Sequence, residues 1–594
     1  MLAPLFRALA FALVSLLFAI PALALDRNAF AFTHYDLQLT VDPHEQALTA
    51  EGTVELRNIS SQAQSEAALQ ISSSLHWLSV LAGGAPVEWL AQSYTSDIDH
   101  TGQLSEAIVK FDTPLAPGAT IVLNLRYSGT VLKDATRLER IGTPHQIALR
   151  SDWDEISDRF TALRGAGFVV WYPVSIDAAN LSQGNELFEA LRGWRERQSS
   201  SLLRVQLSRV PPAEGDEEAF TFLGNGTGAA SGYSLTQEFR GVDPVIVLLD
   251  NPAETTDRPR VAAYYTAAHV NAARDYMAAV ESVIPPLEEW FGTPRNKIVL
   301  VELTDLDALP YDVGPYYFVP MRNVPHVAAE VALARPVAHA MFESPRPWIR
   351  EGLANFAQAI IREHQAGRAA ALAYLGQFSS SLAVAEEESH TPAAGSTPAP
   401  AAGSEALPVS ADTPPAIGPQ PLITTADEIF FRTKAAYVWW MLRDQLGDRP
   451  LQSALAAYRA ADDRDTGTMQ RLIERQFSPR RDLESFFDDW VYRDRGLPQL
   501  RIVSTDVRKT LGGQTVTAVT VENLGEAGCE VPVLVRSASA EGRERLLVPA
   551  KSKATVRVSL TGAPTEAEVN DGSVPEADHR DHVVAIAPPP PDQP

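Results

Sequence analysis

The sequence contains 594 residues, of which 45% are hydrophobic and 21% are charged, as is typical of a globular protein. Because single hydrophobic cores stop growing near about 300 residues, a chain of this length should form roughly three or four domains. Asp and Glu outnumber Lys and Arg by 74 to 50, which gives a net charge of −24. This balance argues against nucleic-acid binding, because a binder of phosphate backbones needs a concentrated positive face. The single cysteine, Cys529, excludes an intramolecular disulfide and a cysteine-based metal cluster.

Residues 1–24 have the pattern of a cleavable signal peptide. Arg7 provides the positive charge, residues 8–20 form a mainly apolar run, and after Pro21 the residues Ala22-Leu23-Ala24 form a small-x-small cleavage site. The apolar run is shorter than the about 20 residues that cross a bilayer. We therefore predict a secreted or periplasmic protein with no transmembrane span after signal cleavage. An uncleaved membrane anchor is the alternative.

From residue 25 to about residue 260, apolar residues mostly alternate with polar ones, which predicts β-strands with one buried face. Tyr35, Leu37, Leu39 and Val41 form the first such series, and later series follow turns that contain proline or glycine. We predict an N-terminal domain over residues 25–260 that forms an antiparallel β-sandwich or saddle.

The pattern becomes mainly helical over residues 261–497, which we predict to form a middle domain of mixed and helical structure. Residues 267–291 have apolar side chains at helical spacing, and Pro285-Pro286 should kink this helix or split it into two. A strand at 297–303, a loop rich in Pro and Tyr, and further helices follow.

Residues 391–421 interrupt the middle domain with 8 prolines mixed with Ala, Gly, Ser and Thr. Such a segment does not bury enough apolar surface to offset the entropy lost on ordering. We predict a disordered surface insertion there.

Alternation of apolar and polar residues returns at about residue 500, with Val519 and Val521 as one example. It predicts a C-terminal β-sandwich over residues 498–587, followed by a Pro-rich tail at 588–594. The predicted fold class is therefore multidomain α+β, with β-domains at both ends of a mainly helical middle.

Three features in this order resemble those of a known family. Residues 34–39 (HYDLQL) and 52–56 (GTVEL) form the first, residues 348–356 (WIREGLANF) the second, and a helical segment from Lys434 to residues 486–490 (FFDDW) the third. Together they resemble the gluzincin zinc aminopeptidases of the membrane-alanyl-aminopeptidase and leukotriene-hydrolase type. The resemblance implies a thermolysin-like middle domain and an immunoglobulin-like C-terminal sandwich.

The catalytic motif of that family is changed in this sequence. In the family motif H-E-x-x-H, two histidines on one helix face bind zinc, and the glutamate is the general base. The matching residues read RPVAH, so the resemblance places Arg335 and His339 at the histidine positions and Pro336 at the base. Glu351 matches the glutamate ligand of the next helix. Arginine has no lone pair for a metal, and proline has no acidic or basic side chain.

Two further positions also depart from the family pattern. The strand that carries the family's amine-binding glutamate is matched by residues 314–318 (GPYYF), which contain no carboxylate. The oxyanion-stabilising tyrosine of the family is matched by Arg432. We expect Arg335, Tyr316 and Tyr317 to line the cleft, where the tyrosines either pack or form an aromatic surface suited to peptide binding.

His339 and Glu351 are the remnant metal ligands, and two ligands are fewer than the three that usually hold a catalytic zinc. We therefore expect no cofactor. A guanidinium can pair with a carboxylate in two parallel hydrogen bonds. We therefore predict that Arg335 reaches Glu351, directly or through one water, and serves as a fixed organic cation in the place of the metal. Simple hydrogen bonding of His339 within a helical pair, without any inherited role, is the alternative.

The resulting functional prediction is an exported, non-catalytic relative of zinc aminopeptidases that binds a peptide or an envelope partner. One alternative is an active metallopeptidase with a rearranged zinc site that uses His339 and Glu351, or a relocated site at His326, Glu330 and Glu343. Another is a structural protein with a filled cleft. The sequence has no Gly-rich phosphate loop and no G-x-S-x-G elbow, which argues against a nucleotide enzyme and a serine hydrolase.

Overall fold

The computed structural model describes residues 25–158, 160–210, 220–224, 234–239, 242–250, 254–390, 419–477, 482–510, 513–578 and 582–586. The predicted signal peptide, the predicted tail and residues 391–418 of the predicted insertion lie outside these ranges. Within the described ranges, no helix is long and apolar enough to cross a membrane. The described residues form a multidomain α+β fold with β-sheet domains at both ends, as predicted.

The N-terminal domain is built from β-sheets. Its strands are β1 (Phe30–Asp42), β2 (Ala47–Asn58), β3 (Gln64–Ser72), β4 (Leu75–Ala82), β5 (Ala85–Pro86), β6 (Glu88–Thr95), β7 (Gln103–Leu115), β8 (Thr120–Thr130), β9 (Glu155–Ile156), β10 (Phe160–Leu163), β11 (Leu202–Arg209), β12 (Phe220–Gly224), β13 (Ser234–Glu238) and β14 (Ile246–Asp250). Its helices are α1 (Thr136–Arg140), α2 (His145–Ser151) and α3 (Glu186–Arg197). The sheet orders are β13-β11-β1-β2-β8-β4-β5, β3-β7-β6 and β12-β14-β10-β9.

The predicted alternation in the first strand is confirmed. Tyr35, Leu37, Leu39 and Val41 are each at most 1% exposed. The domain departs from a purely antiparallel arrangement where β1 pairs with β11 in parallel. Parallel pairing requires a long crossover connection, and the strands and helices between β1 and β11 provide it.

The middle domain combines one sheet with a group of helices. Its strands are β15 (Glu254–Asp257), β16 (Val261–Tyr265), β17 (Ile298–Glu302), β18 (Tyr311–Val313) and β19 (Tyr316–Val319). Its helices are α4 (Val270–Phe291), α5 (His326–Met341), α6 (Pro347–Ala366), α7 (Arg368–Gly376), α8 (Ser379–His390), α9 (Ala435–Leu446), α10 (Asp448–Ala457), α11 (Thr468–Glu474) and α12 (Glu484–Phe487). Short 3₁₀- or π-helical segments are Ala267–His269, Ile429–Lys434, Ala460–Asp462 and Asp488–Tyr492. The sheet order is β15-β16-β17-β19-β18, with parallel central strands and antiparallel edges.

The middle domain differs from the sequence prediction at two places. Pro285 and Pro286 do not split α4, because its buried apolar face packs along the whole helix although neither proline donates a backbone hydrogen bond. The segment predicted as a Pro- and Tyr-rich loop contains the hairpin β18–β19. In its turn, Val313 pairs with Tyr316, and Gly314 has a φ of 53°, which glycine adopts without strain.

The C-terminal domain contains two antiparallel sheets. Its strands are β20 (Leu500–Lys509), β21 (Thr515–Asn523), β22 (Cys529–Ser537), β23 (Glu541–Val548), β24 (Ser552–Leu560), β25 (Pro564–Val569) and β26 (Val583–Ala585). The sheet orders are β20-β21-β24 and β23-β22-β25-β26. Val519 and Val521 are fully buried, and the core between these sheets is continuous with the core of the middle-domain helices.

The sheet of the middle domain is covered on both faces. Tyr317 and Leu300 belong to the core shared with the helices, whereas Phe318 and Val301 pack in a second core against Trp153 and other residues of the N-terminal domain. The candidate site described below therefore lies on the helical face of this sheet, at its edge.

The end of the predicted insertion is packed, which corrects its boundary. The backbone N of Gln420 donates to Asp494 Oδ2 at 2.6 Å, and the Gln420 side chain accepts from Thr425 Oγ1 at 2.9 Å. Gln420 is 9% exposed. A buried carboxylate needs donors, and Gln420 supplies one, so the prediction that the insertion extends through residue 421 is wrong.

Two deletions should therefore behave differently. We expect that replacing residues 392–417 with a short Gly/Ser linker leaves the melting temperature nearly unchanged, because their composition offers little apolar surface. Extending the deletion through residue 421 removes the Gln420 donor from Asp494 and should cost about 1–3 kcal/mol. Calorimetric melting of both variants is the measurement. A large loss of stability in the shorter deletion would show that residues 392–417 pack against the body.

Candidate functional site

Helices α5 and α6 and the edge strand β18 bring four ionisable side chains together, here called the Arg335 cluster. Arg335 and His339 are four residues apart on α5 and project from the same face. Glu351 lies near the start of α6, and Asp312 is the central residue of β18. The four side chains are between 8% and 17% exposed. They form a largely buried polar centre.

Close packing behind α6 fixes the position of Glu351. Gly352 faces α9 so closely that a Cβ atom on it would lie 2.6 Å from the Cβ of Ala435. Trp348 stacks on Trp439 with ring centroids 5.2 Å apart, and both rings are fully buried. The WIREGLANF segment therefore has a packing role, since its glycine allows helix contact and holds the adjacent Glu351 toward α5.

Arg335 is the centre of the cluster. Its Nη2 donates to Glu351 Oε2 at 2.5 Å, and its Nε donates to Asp312 Oδ1 at 3.0 Å. Its Nη1 donates to Asn355 Oδ1 at 3.0 Å. The predicted contact between Arg335 and Glu351 is confirmed as a direct hydrogen bond. One guanidinium links two carboxylates and an amide oxygen, which uses donors on all three of its nitrogens.

Positive charge surrounds Glu351. Arg350 Nε donates to Glu351 Oε1 at 3.0 Å, and Arg432 Nε lies 3.8 Å from Oε2. Burial alone would raise the pKa of Glu351, but Arg335, His339 and the two other arginines hold it well below its ordinary value. The Glu351 carboxylate is therefore ionised at neutral pH. Arg432, which matches the family's oxyanion tyrosine, is thus part of the same site.

Asp312 is the member of the cluster that sequence reasoning missed. Its Oδ2 lies 3.0 Å from His339 Nδ1. Burial would raise the pKa of Asp312, but Arg335 and His339 outweigh burial and lower it. A signal was present, because a carboxylate between Tyr311 and Val313 on a strand needs a partner if it is buried. The partner, however, is 23 residues away in sequence.

The structure separates the two tyrosines that were predicted to share the cleft. Tyr317 lies opposite Asp312 in the hairpin and is 7% exposed, and burial raises its pKa. Tyr316 stacks with Phe318, with ring centroids 6.4 Å apart, in the core that faces the N-terminal domain. Neighbouring residues on a strand point to opposite faces, so only Tyr317 lies on the side of Arg335.

The Arg335 cluster does not fit a catalytic zinc ion. His339 Nε2 is buried without a hydrogen bond to any described residue, and it lies 3.5 Å from Glu351 Oε1, so these two atoms keep a spacing that adjacent ligands could use. Both oxygens of Glu351 nevertheless accept from guanidinium groups. A dication would be repelled by Arg335 and its neighbouring arginines. Pro336, buried on α5, offers no group to activate water.

A second charged group, here called the Lys434 cluster, is also buried. Lys434 Nζ lies 2.6 Å from Glu386 Oε1 and 3.0 Å from Asp494 Oδ1. Ring nitrogens of His390 lie 3.7 Å from each carboxylate. Donor atoms of Glu386, His390 and Asp494 lie within 4.8 Å of one another, a spacing that a metal ion could use. The Lys434 ammonium group, however, already pairs with both carboxylates.

The protonation of the Lys434 cluster is set by burial and by its charges. Burial raises the pKa of Glu386 to about 7 against the attraction of Lys434. Burial would also raise the pKa of Asp494, but Lys434 and the Gln420 backbone N–H outweigh it and lower that pKa. Sequence reasoning singled out only Lys434, because Glu386 and Asp494 come from segments about 100 residues apart.

The other residues considered for a metal form ordinary ion pairs. His326 Nε2 lies 3.2 Å from Glu330 Oε1, and Glu343 pairs with Arg295 at 3.5 Å. These residues do not form a common metal-binding group in the described part of the chain.

Comparison with known proteins gives structural neighbours only. No protein-family model and no curated protein matches the chain. A crystal structure of an M1 zinc metallopeptidase from Deinococcus radiodurans is 18% identical and covers 78% of this chain and 94% of that chain, with a TM-score of 0.46. The structure of an M1 zinc metallopeptidase mutant from the same organism, bound to a Tyr-Ser-Ala substrate, is 17% identical. It covers 79% of this chain and 96% of that chain, with a TM-score of 0.45. The structure of a two-domain M1 zinc metallopeptidase mutant bound to L-arginine is 17% identical. It covers 75% of this chain and 91% of that chain, also with a TM-score of 0.45. These values are too low to transfer a function.

Replacing Arg335 by Met should strongly destabilise the protein. The substitution keeps an apolar stem but leaves Asp312 and Glu351 without their shared cation, which should cost about 3–5 kcal/mol. Arg350→Met removes a more exposed partner of Glu351 and should cost about 1 kcal/mol or less. Urea denaturation of both variants is the measurement. Equally small losses in the two variants would contradict the central role of Arg335.

Glu386 should make the free energy of unfolding fall as pH rises. Its pKa in the folded protein is about 7, above the ordinary value of 4.5, so folding favours the protonated form. The resulting stability is fully present below about pH 4.5 and is lost as pH rises through about 7. The raised pKa of His390 also makes the free energy of unfolding fall as pH rises, at pH values above the ordinary His pKa of 6.5. The lowered pKa of Asp494 affects the free energy of unfolding only below the ordinary Asp pKa of 3.8.

The corresponding measurement is the melting temperature between about pH 4.5 and pH 8. Glu386→Gln, which imitates the protonated acid at every pH, should flatten the decrease seen in the unmodified protein. Glu388→Gln is the matched control, because Glu388 is exposed on the same helix. A decrease of equal slope in the Glu386→Gln variant would show that other groups cause it.

Proposed function

We propose that this protein is an exported, non-catalytic relative of the gluzincin zinc aminopeptidases, which binds a peptide or an envelope partner without hydrolysing it. The observation that carries the proposal is the contact of Arg335 with both Glu351 and Asp312. In the family pattern, the Arg335 position belongs to the first zinc-binding histidine, and Glu351 belongs to a zinc ligand.

The charge of Arg335 supports its role as a substitute for a metal. A gluzincin site concentrates negative charge that a dication normally balances. Here a guanidinium balances it, with donors on three nitrogens fixed by Asp312, Glu351 and Asn355. A guanidinium has no open coordination position and does not lower the pKa of a bound water as zinc does. Arginine in place of the metal thus balances the negative charge of the carboxylates but does not activate water for hydrolysis.

The missing general base supports the same conclusion independently. Zinc peptidases of this type need a carboxylate beside the metal-bound water. Pro336 occupies that position and is buried in α5. Arg432 stands at the oxyanion position and is paired with Glu428 at 2.7 Å. Binding without hydrolysis is the activity that a peptidase scaffold retains under these changes.

The extracytoplasmic location is part of the proposal and rests on residues 1–24. Their pattern of a positive charge, an apolar run and a small-residue cleavage site is that of a secretory signal. Peptide fragments and envelope proteins are the partners available to such a protein after export. No nucleic-acid partner is proposed, because the net charge is −24.

A metallopeptidase with a relocated metal is the second candidate, and one observation favours it. The donor atoms of Glu386, His390 and Asp494 lie within 4.8 Å of one another. For a metal to bind there, the Lys434 ammonium group would have to leave two carboxylates that it contacts within 3.0 Å. The non-catalytic function based on the Arg335 cluster is therefore better supported than a metal site at Glu386, His390 and Asp494.

Metal analysis separates the two candidates. We expect less than about 0.1 equivalent of zinc in the purified protein and no chelator-sensitive hydrolysis of aminoacyl reporter substrates, because Arg335 replaces a ligand in one cluster and Lys434 pairs with the carboxylates of the other. The double variant Arg335→His, Pro336→Glu recreates the H-E-x-x-H pattern next to Glu351 and should gain close to one equivalent of zinc. About one equivalent in the unmodified protein, lost in His339→Ala or in His390→Ala, would overturn the non-catalytic proposal and locate the metal.

Mass spectrometry of the native protein tests the binding role. We expect short peptides to co-purify with the protein from its natural envelope fraction and to be released by denaturation. A matched preparation of an unrelated exported protein of similar charge is the control. Absence of specifically bound peptide or protein would favour a purely structural role.

A further inference from the structure

A cavity of about 560 Å³ lies between the helical domain and the C-terminal domain, away from the Arg335 cluster. Helix α7 forms one wall, Tyr437 on α9 contributes to the lining, and Arg543 and Asp571 of the C-terminal domain lie opposite. Small-molecule sites in proteins commonly have volumes of about 300–1,000 Å³ and occur between domains. The cavity has the size and the place of a ligand site.

Arg368 gives the cavity a fixed polar wall. Its Nη1 and Nη2 donate to the two oxygens of Asp444 at 2.7 and 2.5 Å, and its Nε donates to Asp571 Oδ2 at 3.2 Å. Its guanidinium carbon also lies 5.4 Å from the ring centroid of Trp440. Arg368 is therefore held by the protein itself. It also supplies Asp571 with a cation that does not depend on Arg543.

Arg543 has donors left for a ligand. Its Nη2 donates to Asp571 Oδ2 at 2.6 Å, whereas its Nε and Nη1 donate to no described residue. Its side chain is 40% exposed. Asp571 accepts from both Arg368 and Arg543, and Asp444 accepts from Arg368, so two guanidiniums meet two carboxylates here. The Arg543 guanidinium is available to an anion at the cavity mouth.

Tyr437 provides a second donor from the buried side. The residue is 2% exposed and lines the cavity, and its hydroxyl forms no hydrogen bond with any described residue. Burial raises its pKa, so the hydroxyl stays protonated and can donate. The hydroxyl oxygen is not one of the fully buried polar atoms without a partner, so it is open to the cavity and can donate to a molecule there.

Most of the remaining lining is apolar, and its one hydroxyl, that of Ser379, donates to the carbonyl oxygen of Gly376. Ala369, Leu372 and Ala373 come from α7, and Val574 comes from the loop after β25. An apolar wall with a few directed donors is the usual composition of a small-ligand site. The donors of Arg543 and Tyr437, which have no acceptor among the described residues, suit a carboxylate head group, and the apolar lining suits an apolar body.

We propose that this interdomain cavity binds a small apolar carboxylate, whose oxygens accept from Arg543 and Tyr437 while its apolar part packs on Leu372 and Val574. A carboxylate next to an apolar group occurs both in a free acid and in the C-terminal residue of a peptide. This proposal is independent of the proposed function, because none of these residues belongs to the Arg335 cluster.

Titration calorimetry with N-acetyl-leucine and N-acetyl-leucinamide on the full chain tests the proposal. The acid should bind, and the amide should bind at least about tenfold more weakly, because it lacks the charge that Arg543 recognises. Arg543→Gln should weaken binding of the acid about tenfold, and Tyr437→Phe about two- to tenfold. Arg508→Gln, at an 81% exposed arginine outside the cavity, is the control and should have no effect.

Equal affinity for acid and amide, absence of binding, or unchanged affinity in folded Arg543→Gln would each overturn the proposal. The melting temperatures of the variants report folding, and Tyr437→Phe provides a second test if Arg543→Gln is unstable. A tripeptide with C-terminal leucine distinguishes the two sources. Tighter binding of the tripeptide than of N-acetyl-leucine would identify a peptide C-terminus, and equal binding would identify a free acid.

Discussion

Two carboxylates buried at one place require a cation, and this requirement organises the middle domain. Asp312 comes from the sheet edge and Glu351 from α6, while Arg335 on α5 contacts both. An unpaired buried carboxylate costs several kcal/mol, and a guanidinium offsets that cost only with good hydrogen-bond geometry. The strand and both helices are therefore fixed relative to one another, because a shift of any one of them would leave a charge unpaired.

The same arrangement recurs behind the first cluster, where Lys434 pairs with Glu386 and Asp494. The segment Ile429–Lys434 connects the two centres, since it carries Arg432 next to Glu351 and ends at Lys434 itself. Both clusters thus pair side-chain cations with carboxylates that come from distant segments. The buried apolar residues of α9 pack against α6, the helix that carries Glu351. Close packing of this kind restricts the positions of the charged side chains.

The contacts that pack the helices are separate from the charged side chains of the Arg335 cluster. Gly352 and Trp348 hold α6 against α9 by close contact, and these contacts involve no charged group. Arg335 and His339 project from α5 toward Asp312 and Glu351 instead. The packing therefore does not depend on what these charged side chains bind. The cavity proposed to bind a carboxylate lies between the helical and C-terminal domains, apart from both.

The sequence by itself determined the order of domains and the buried strand faces, because these depend on local periodicity. The contact between Arg335 and Glu351 was predicted from the resemblance of residues 335–339 and 348–356 to a known family pattern. Only the tertiary structure decided that Asp312 shares Arg335, that Tyr316 turns away, and that Asp312 and Tyr316 belong to one hairpin. The contacts of Glu386 and Asp494 with Lys434 could not be predicted from the sequence either. Pairing of edge strands and of distant carboxylates depends on long-range contacts, which a one-dimensional pattern does not encode.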